Sequence, residues 1–120
     1  MDKYIIVATL CNKRDIADKI IDKLLKEKLV AGSQLSEVTS KYWWNDAIEE
    51  VKEYKLEFRT KEILFNRIES VIKSIHDYEV AEISCCEIKN GSKEFYGSKE
   101  FYGWIDENLK QWYTGRIRWN

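Results

Sequence analysis

The chain has no proline, a single histidine among 120 residues and no long apolar run. A transmembrane helix needs roughly 18 or more consecutive apolar residues, so we predict no membrane partner. The N-terminal residues Met1 to Ala8 have an apolar run too short for a signal-peptide core, and Met1-Asp2-Lys3 before it has no net positive charge from its side chains, unlike the basic lead of a signal peptide. The sequence therefore predicts a cytoplasmic protein.

Charge of one sign is also lacking, because 20 basic and 21 acidic residues are interleaved and the formal net charge is −1. Affinity for nucleic acid depends mainly on a one-sided positive field. Arg116 and Arg118 in the tail are too few to create such a field. We expect no nucleic-acid partner.

Cysteine is scarce, and Cys11, Cys85 and Cys86 cannot all pair with one another. The adjacent two would point to opposite faces of a strand, so we predict reduced thiols that pack as small buried hydrophobes. The length lies in the usual range of one domain. A single domain over residues 1–120 is predicted, with an irregular tail from about residue 111 to 120.

The first third of the chain reads as a strand followed by a helix. Tyr4 to Leu10 is β-branched and apolar, which is typical of a central strand covered by helices. Asn12 is the predicted helix cap, with Asp15 in the first turn and Gly32 as the terminator. Apolar residues at helical spacing lie between them: Ile16, Ala17, Ile20, Ile21, Leu24 and Leu25.

A long hairpin is predicted next, with strands over residues 33–44 and 47–60 joined at Asn45-Asp46. At about 3.3 Å per residue, each strand could reach roughly 40 Å and must project from a small domain. Its tip carries Tyr42, Trp43 and Trp44. An exposed aromatic tip is an aggregation hazard, so we expect a partner surface there, most economically another copy of the chain.

Thr60 is the predicted cap of a second helix that ends at His76, and a last strand is predicted over residues 80–88. The apolar stripe of this helix consists of Leu64, Ile68, Val71, Ile72 and Ile75. The order strand, helix, strand, strand, helix, strand is that of the split β-α-β arrangement. We therefore predict an α+β, ferredoxin-like β-α-β-β-α-β sandwich with a projecting hairpin.

A hexapeptide, GSKEFY, occurs at residues 91–96 and again at 97–102. Six residues turn a helix by about 600°, so equivalent residues of the two copies would lie ~120° apart and could not be buried alike. Phe95, Tyr102, Ile105 and Leu109 do share one stripe, which leaves an interrupted third helix open. A loop for the first copy is favoured, because a mid-helix glycine costs about 1 kcal/mol relative to alanine.

Four landmarks in this order resemble the CutA family of divalent-cation-tolerance proteins. They are Tyr42-Trp43-Trp44, Arg59-Thr60-Lys61, the segment His76 to Ile83, and Phe101 to Ile105. The resemblance covers residues from about 4 to 109. It implies a ferredoxin-like subunit with an extra C-terminal helix and a tight homotrimer similar to the PII proteins. It also implies a link to copper and other divalent metals, with no agreed molecular activity.

The chain departs from the family pattern in two places that matter for a site. Relatives typically have prolines where this chain has Asp77 and Ala81, so the segment is expected to be looser. Many relatives also carry a cysteine at the start of the second strand, where this chain reads Ala31-Gly32-Ser33-Gln34. Its absence weakens a thiolate copper site. The duplicated hexapeptide resembles an insertion.

His76 is the natural starting point for chemistry, because imidazole titrates near neutrality. The helix dipole at the predicted end of the second helix favours the protonated ring. Equally weighted is a structural histidine that bonds the last helix carbonyls. His76, Glu79 and Glu82 lie in a run too short to converge on one ion, so a metal at His76 requires more than one chain.

The favoured function is a trimeric binding or sensor module that takes a metal or a small anion in a cleft between subunits. The predicted cleft residues are Lys61, His76, Tyr78, Glu79, Glu82 and Trp104. Lys61, at a helix start, is the candidate anion contact. Tyr42, Trp43 and Trp44 are predicted to pack at the trimer interface rather than to stack a ligand.

Two alternatives stay open beside that function. The first is a scaffold trimer that only contacts partners, and the second is an enzyme with His76 as general base, assisted by Tyr78 or Glu79. The enzyme is the weaker of the two, because no activated nucleophile or glycine-rich phosphate loop accompanies the histidine. No cofactor is required in either case, and divalent copper is the metal that the resemblance implies.

Overall fold

The computed structural model describes residues 3–89 and 104–109. The strands are β1 (Tyr4–Cys11), β2 (Gly32–Trp44), β3 (Ala47–Lys61) and β4 (Ile83–Glu87), and the helices are α1 (Arg14–Lys26) and α2 (Phe65–Ile75). Residues 104–107 add a short helical stretch. The element order of the predicted split β-α-β arrangement is confirmed. The two copies of the hexapeptide lie outside the described residues.

The sheet has the order β2-β3-β1-β4, and every pair is antiparallel. β1 is central, as its continuous apolar sequence predicts, with Val7 opposite Phe58 of β3 on one side and Cys85 of β4 on the other. One face of the sheet is covered by α1 and α2. Its core includes Ile5, Val7, Leu56 and Phe58 from the sheet and Ala17, Ile20, Leu24, Ile68, Val71 and Ile72 from the helices.

The β2-β3 hairpin projects well beyond the rest of the sheet. β2 and β3 stay paired from Gly32 and Arg59 out to Trp44 and Ala47, whereas β1 ends opposite Tyr54. We call residues 38–53, which lie beyond the last β1 pair, the arm. Asn45 and Asp46 have φ values of 50° and 64°, which confirms the predicted two-residue turn. The longest dimension of the chain is 54 Å.

Both predicted boundaries of α1 are wrong. The N-cap is Lys13 rather than Asn12, and no side chain bonds the first free amides. At the other end the chain turns at Lys28, whose φ is 57°. Leu29 N–H donates to Leu24 O and Lys28 N–H donates to Leu25 O, which is the Schellman arrangement with lysine in place of glycine. Gly32 instead begins β2.

Thr60 is also not the cap of α2. Its hydroxyl donates to the carbonyl of Leu29 at 2.7 Å inside the core, so the side chain ties β3 to the chain that follows α1. A short 3-10 turn, Glu62–Leu64, precedes α2. The predicted apolar stripe of α2 is nevertheless confirmed, because Leu64, Ile68, Val71 and Ile72 are buried.

The last strand is shorter than predicted and more exposed. β4 begins at Ile83 because pairing with β1 stops at Thr9, and Val80 is 85% exposed. Cys11 is buried as expected, but Cys85 and Cys86 are exposed on this edge strand, so their predicted core packing is wrong. No helix within residues 3–89 and 104–109 is long and apolar enough to cross a membrane.

Candidate functional site

The predicted cleft residues form two groups at opposite ends of β1. Lys61 lies opposite Tyr4 at the first end. The His76 ring contacts the carbonyl of Leu10 near the second end. Leu10 lies six residue steps along the strand from Tyr4, which corresponds to roughly 20 Å. One protomer therefore does not bring Lys61 and Trp104 together with His76 and Tyr78.

The His76 ring is fully engaged by its own chain. The backbone N–H of Tyr78 donates to Nδ1 at 3.1 Å, and Nε2 lies 2.7 Å from the carbonyl oxygen of Leu10. Because Nδ1 accepts a hydrogen bond, Nε2 must carry the proton and donate, which defines the neutral imidazole. The side chain is only 1% exposed. The ring bonds a strand carbonyl rather than the last helix carbonyls.

This hydrogen-bond pattern predicts one tautomer of His76. Nitrogen-detected NMR of the labelled protein at neutral pH should find Nδ1 unprotonated and Nε2 protonated, since reversing the tautomer would break both bonds. The reading is unambiguous because the chain has no other histidine. A ring protonated at Nδ1 would contradict the structure of this segment.

Tyr78 joins the segment after α2 to the arm. Its hydroxyl donates to Oε2 of Glu53 at 2.6 Å, and its ring lies 4.6 Å from the His76 ring, centroid to centroid. Burial, and then the hydrogen bond to Glu53, raise the pKa of Tyr78, so the phenol stays protonated and acts as the donor. Glu53 was not predicted as a site residue. It occupies the register of the exposed β3 residues, so periodicity gave no signal for it.

The rest of the segment is held at its edges and open in its middle. Asp77 pairs with Lys13 at 3.0 Å, and this hydrogen bond lowers the pKa of the Asp77 carboxyl. Thr9 donates its hydroxyl to the carbonyl of Glu82 at 2.7 Å. Between these anchors, the side chains of Glu79 and Val80 are exposed. The segment is thus held by side-chain contacts, although it lacks the prolines of the family pattern.

At the far end of β1, Lys61 is committed to structure. Its side chain is 1% exposed, and its ammonium pairs with Asp106 and lies 5.4 Å from the centre of the Tyr4 ring. The ammonium thus already contacts an anionic group of its own chain. Trp104 packs directly over Gly32, where a Cβ atom would come within 3.0 Å of the indole. This close approach explains why β2 begins with glycine.

Two shallow depressions lie at the base of the arm, and Val38 lines both. The first, of about 250 Å³, is lined by Asn12, Glu37, Thr39, Lys52, Glu53 and Tyr54. The second, of about 230 Å³, includes Thr9, Lys55 and Glu82. Within the described ranges, no group of three or more His, Cys, Asp or Glu side chains is placed to hold a metal ion.

A four-stranded antiparallel sheet with both helices on one face and a projecting hairpin defines the class: a ferredoxin-like α+β protein. The profile of the "CutA1 divalent ion tolerance protein" family matches residues 5–108. This chain belongs to the CutA family.

Individual relatives agree over most of the chain. The divalent-cation tolerance protein CutA of Pyrococcus horikoshii is 34% identical over 107 residues, which are 89% of this chain and 99% of that protein. A crystal structure of CutA1 from the same organism covers 88% of this chain and 98% of its own, at a TM-score of 0.78 and 31% identity. The structure from Archaeoglobus fulgidus, described as a periplasmic divalent cation tolerance protein, covers 89% and 99%, at a TM-score of 0.80 and 26% identity. The family supports a link to divalent-cation tolerance.

Proposed function

We propose that this chain is a cytoplasmic, non-catalytic binding module for a divalent metal, and that its site forms only between copies of a homotrimer. The observation that carries the proposal is the separation of the predicted site residues. His76, Tyr78 and Glu79 lie at one end of β1, and Lys61 and Trp104 lie at the other. A second copy that placed one end beside the other would complete the cleft.

The arm supports self-association. In the described part of the chain, residues 47–53 of β3 have no strand neighbour on the side where β1 has ended. Unpaired strand edges are templates for pairing with another chain. At the tip, Trp43 and Trp44 are 71% and 61% exposed. Three copies is the number that the family resemblance implies.

The ligand class follows from which side chains are open. His76 and Lys61 are occupied within the chain, whereas the carboxylates of Glu79 and Glu82 are exposed beside the arm base. Carboxylates bind divalent cations more readily than they bind anions. Donor atoms from neighbouring copies could increase the number of ligands around the ion. Copper is the ion to test first because of the family link. A small anion is the less favoured ligand.

The two alternatives have less support. General-base catalysis requires a free lone pair on His76, and Nδ1 already accepts the Tyr78 amide. A scaffold that only contacts partners would use the same exposed tip but would leave the exposed carboxylates of Glu79 and Glu82 without a role. The exposed free thiols of Cys85 and Cys86 favour a reducing compartment, hence the cytoplasm.

Light scattering tests the assembly. The wild-type protein should have three times the 14.3 kDa mass of the chain, and Trp43→Lys should shift it towards monomer because a charge cannot enter an apolar interface. Leu25→Lys is the matched control, since Leu25 is 39% exposed on α1 and belongs neither to the arm nor to the proposed cleft. A wild-type monomer at micromolar concentration would overturn the trimer.

Calorimetric titration with copper(II) and zinc(II) tests the ligand. The double variant Glu79→Gln, Glu82→Gln should lose about tenfold or more in copper affinity, because both charged donors are removed. His76→Ala should weaken binding less, since the ring positions the segment and does not coordinate the ion. Glu69→Gln on α2 is the control and should bind as wild type. Equal affinity in all four proteins would leave only adventitious surface binding and reject the metal-binding role.

A further inference from the structure

We propose that the hydrogen bond from Tyr78 to Glu53 braces the arm, and that this brace couples the position of segment 76–82 to self-association of the chain. The inference deepens the proposed function and rests on it. Glu53 and Tyr78 act here as positioning residues for the site and for the interface. Neither role follows from the family or from the sequence pattern.

The burial of Glu53 is the first observation. Among the described residues it is the one carboxylate that is nearly fully buried, at 7% exposure. Burying a carboxylate is costly unless it accepts hydrogen bonds. The partner that the structure provides is the Tyr78 hydroxyl at 2.6 Å, a distance typical of a strong O–H···O bond to a carboxylate. The contact is therefore a built feature of the arm base.

Glu53 lies at the point where β3 loses its β1 neighbour, so a contact there can stabilise the base of the arm. β1 supports β3 up to the pair of Cys11 and Tyr54. Glu53 is the next residue of β3, opposite Val38, and is the first one without β1 beside it. Tyr78 reaches the strand at this point. Through Tyr78, segment 76–82 thus contacts β3 at the point where pairing with β1 ends and the arm leaves the sheet.

Both ends of the segment are anchored on β1, and these anchors define the position from which Tyr78 contacts the arm. His76 bonds the Leu10 carbonyl, and Thr9 bonds the Glu82 carbonyl. His76 also fixes Tyr78 through the bond from the Tyr78 amide to Nδ1. A chain of contacts therefore runs from β1 through His76 and Tyr78 to Glu53. A ligand that moves the segment must move the arm, and assembly that fixes the arm must fix the segment; such coupling is reciprocal.

Hydrogen exchange on Tyr78→Phe tests the brace without requiring a ligand. The variant removes one hydroxyl, so amide exchange in residues 47–53 should accelerate roughly fivefold to tenfold, the factor expected for one lost hydrogen bond. Exchange in β1 and α2 should stay as in wild type. Tyr54→Phe is the matched control, because Tyr54 neighbours Glu53 in β3 but lies on the helix-covered face and stacks with Arg14. Unchanged exchange in the arm of Tyr78→Phe would reject the brace.

Rescue at Glu53 separates positioning from general stability. Glu53→Gln keeps an oxygen that can accept from Tyr78, so both arm exchange and the association constant from analytical ultracentrifugation should stay close to wild type. Glu53→Met removes the acceptor and should reproduce Tyr78→Phe, with association weakened roughly tenfold. If Gln and Met weaken association equally, or if neither does, the coupling is wrong.

The outcome for the proposed function is read separately. A wild-type monomer would reject the trimer, yet the arm exchange of Tyr78→Phe would still report on the brace. A wild-type trimer whose association is unaffected by Tyr78→Phe would retain the trimer and reject the coupling. The two proposals therefore fail on different measurements.

Discussion

Replacing Asp106 by asparagine should destabilise the protein by about 3 kcal/mol or more. Lys61 is buried to 1% exposure and its carboxylate partner Asp106 to 13%. Removing one member of a buried ion pair typically costs about 3–5 kcal/mol, because the remaining charge stays in a poorly solvated site. Tyr4 also donates to Asp106 at 3.2 Å, so the same change weakens a second contact. Urea unfolding at a fixed protein concentration measures the loss.

Two companions make this result interpretable. Glu107→Gln changes an exposed carboxylate next to Asp106 and should stay within about 0.5 kcal/mol of wild type. Lys61→Met combined with Asp106→Asn should recover part of the loss, since the buried charge is then gone. If Asp106→Asn alone unfolds like wild type, the ion pair does not hold residues 104–109 against β1 and β3.

Phe58→Ala should cost about 3–5 kcal/mol, the usual range for truncating a fully buried aromatic residue. Phe58 is 0% exposed on β3, opposite Val7, and faces the two helices. The cavity would open in the middle of the core, where the sheet on one side and the helices on the other limit collapse. Thermal and urea unfolding of the same sample should agree on the size of the effect.

Phe65→Ala is the matched comparison, because Phe65 begins α2 and is only partly buried against the core. It loses the same atoms but less buried surface, so its cost should be clearly smaller. Equal costs at the two positions would mean that the core is not centred on β3. The comparison also controls for generic effects of removing a benzyl group.

The sequence was most informative where one pattern ran for many residues. The alternation of Tyr54, Leu56 and Phe58 with Lys55, Glu57 and Arg59 predicts one buried and one exposed face. Leu56 and Phe58 are fully buried and Tyr54 is partly buried against the core. Asn45-Asp46 predicted the hairpin turn because both residues tolerate positive φ. Such signals are local, so they survive without knowledge of the partners across the fold.

Element ends and site contacts were predicted poorly, because distant partners decide them. Thr60 is a residue type that often caps helices, but in the folded core its hydroxyl donates a hydrogen bond to the carbonyl of Leu29 instead. The sequence pattern indicates an exposed side chain for Glu53, because it gives no sign of the hydrogen bond from Tyr78, 25 residues further along the chain. Lys61 and His76 looked like neighbours in one cleft, yet β1 separates them. Only the sheet register reveals that separation.

The reactivity of the Cys11 thiol reports on exposure of the core. Its thiol is buried, and burial raises its pKa to about 11, so almost none of it is the reactive thiolate at neutral pH. Cys85 and Cys86 are exposed at the edge of the same sheet. A thiol reagent will therefore modify β4 first and reach β1 only when the sheet opens. The natural cysteines thus provide fast-reacting and slow-reacting probes of sheet opening, with no engineered cysteine required.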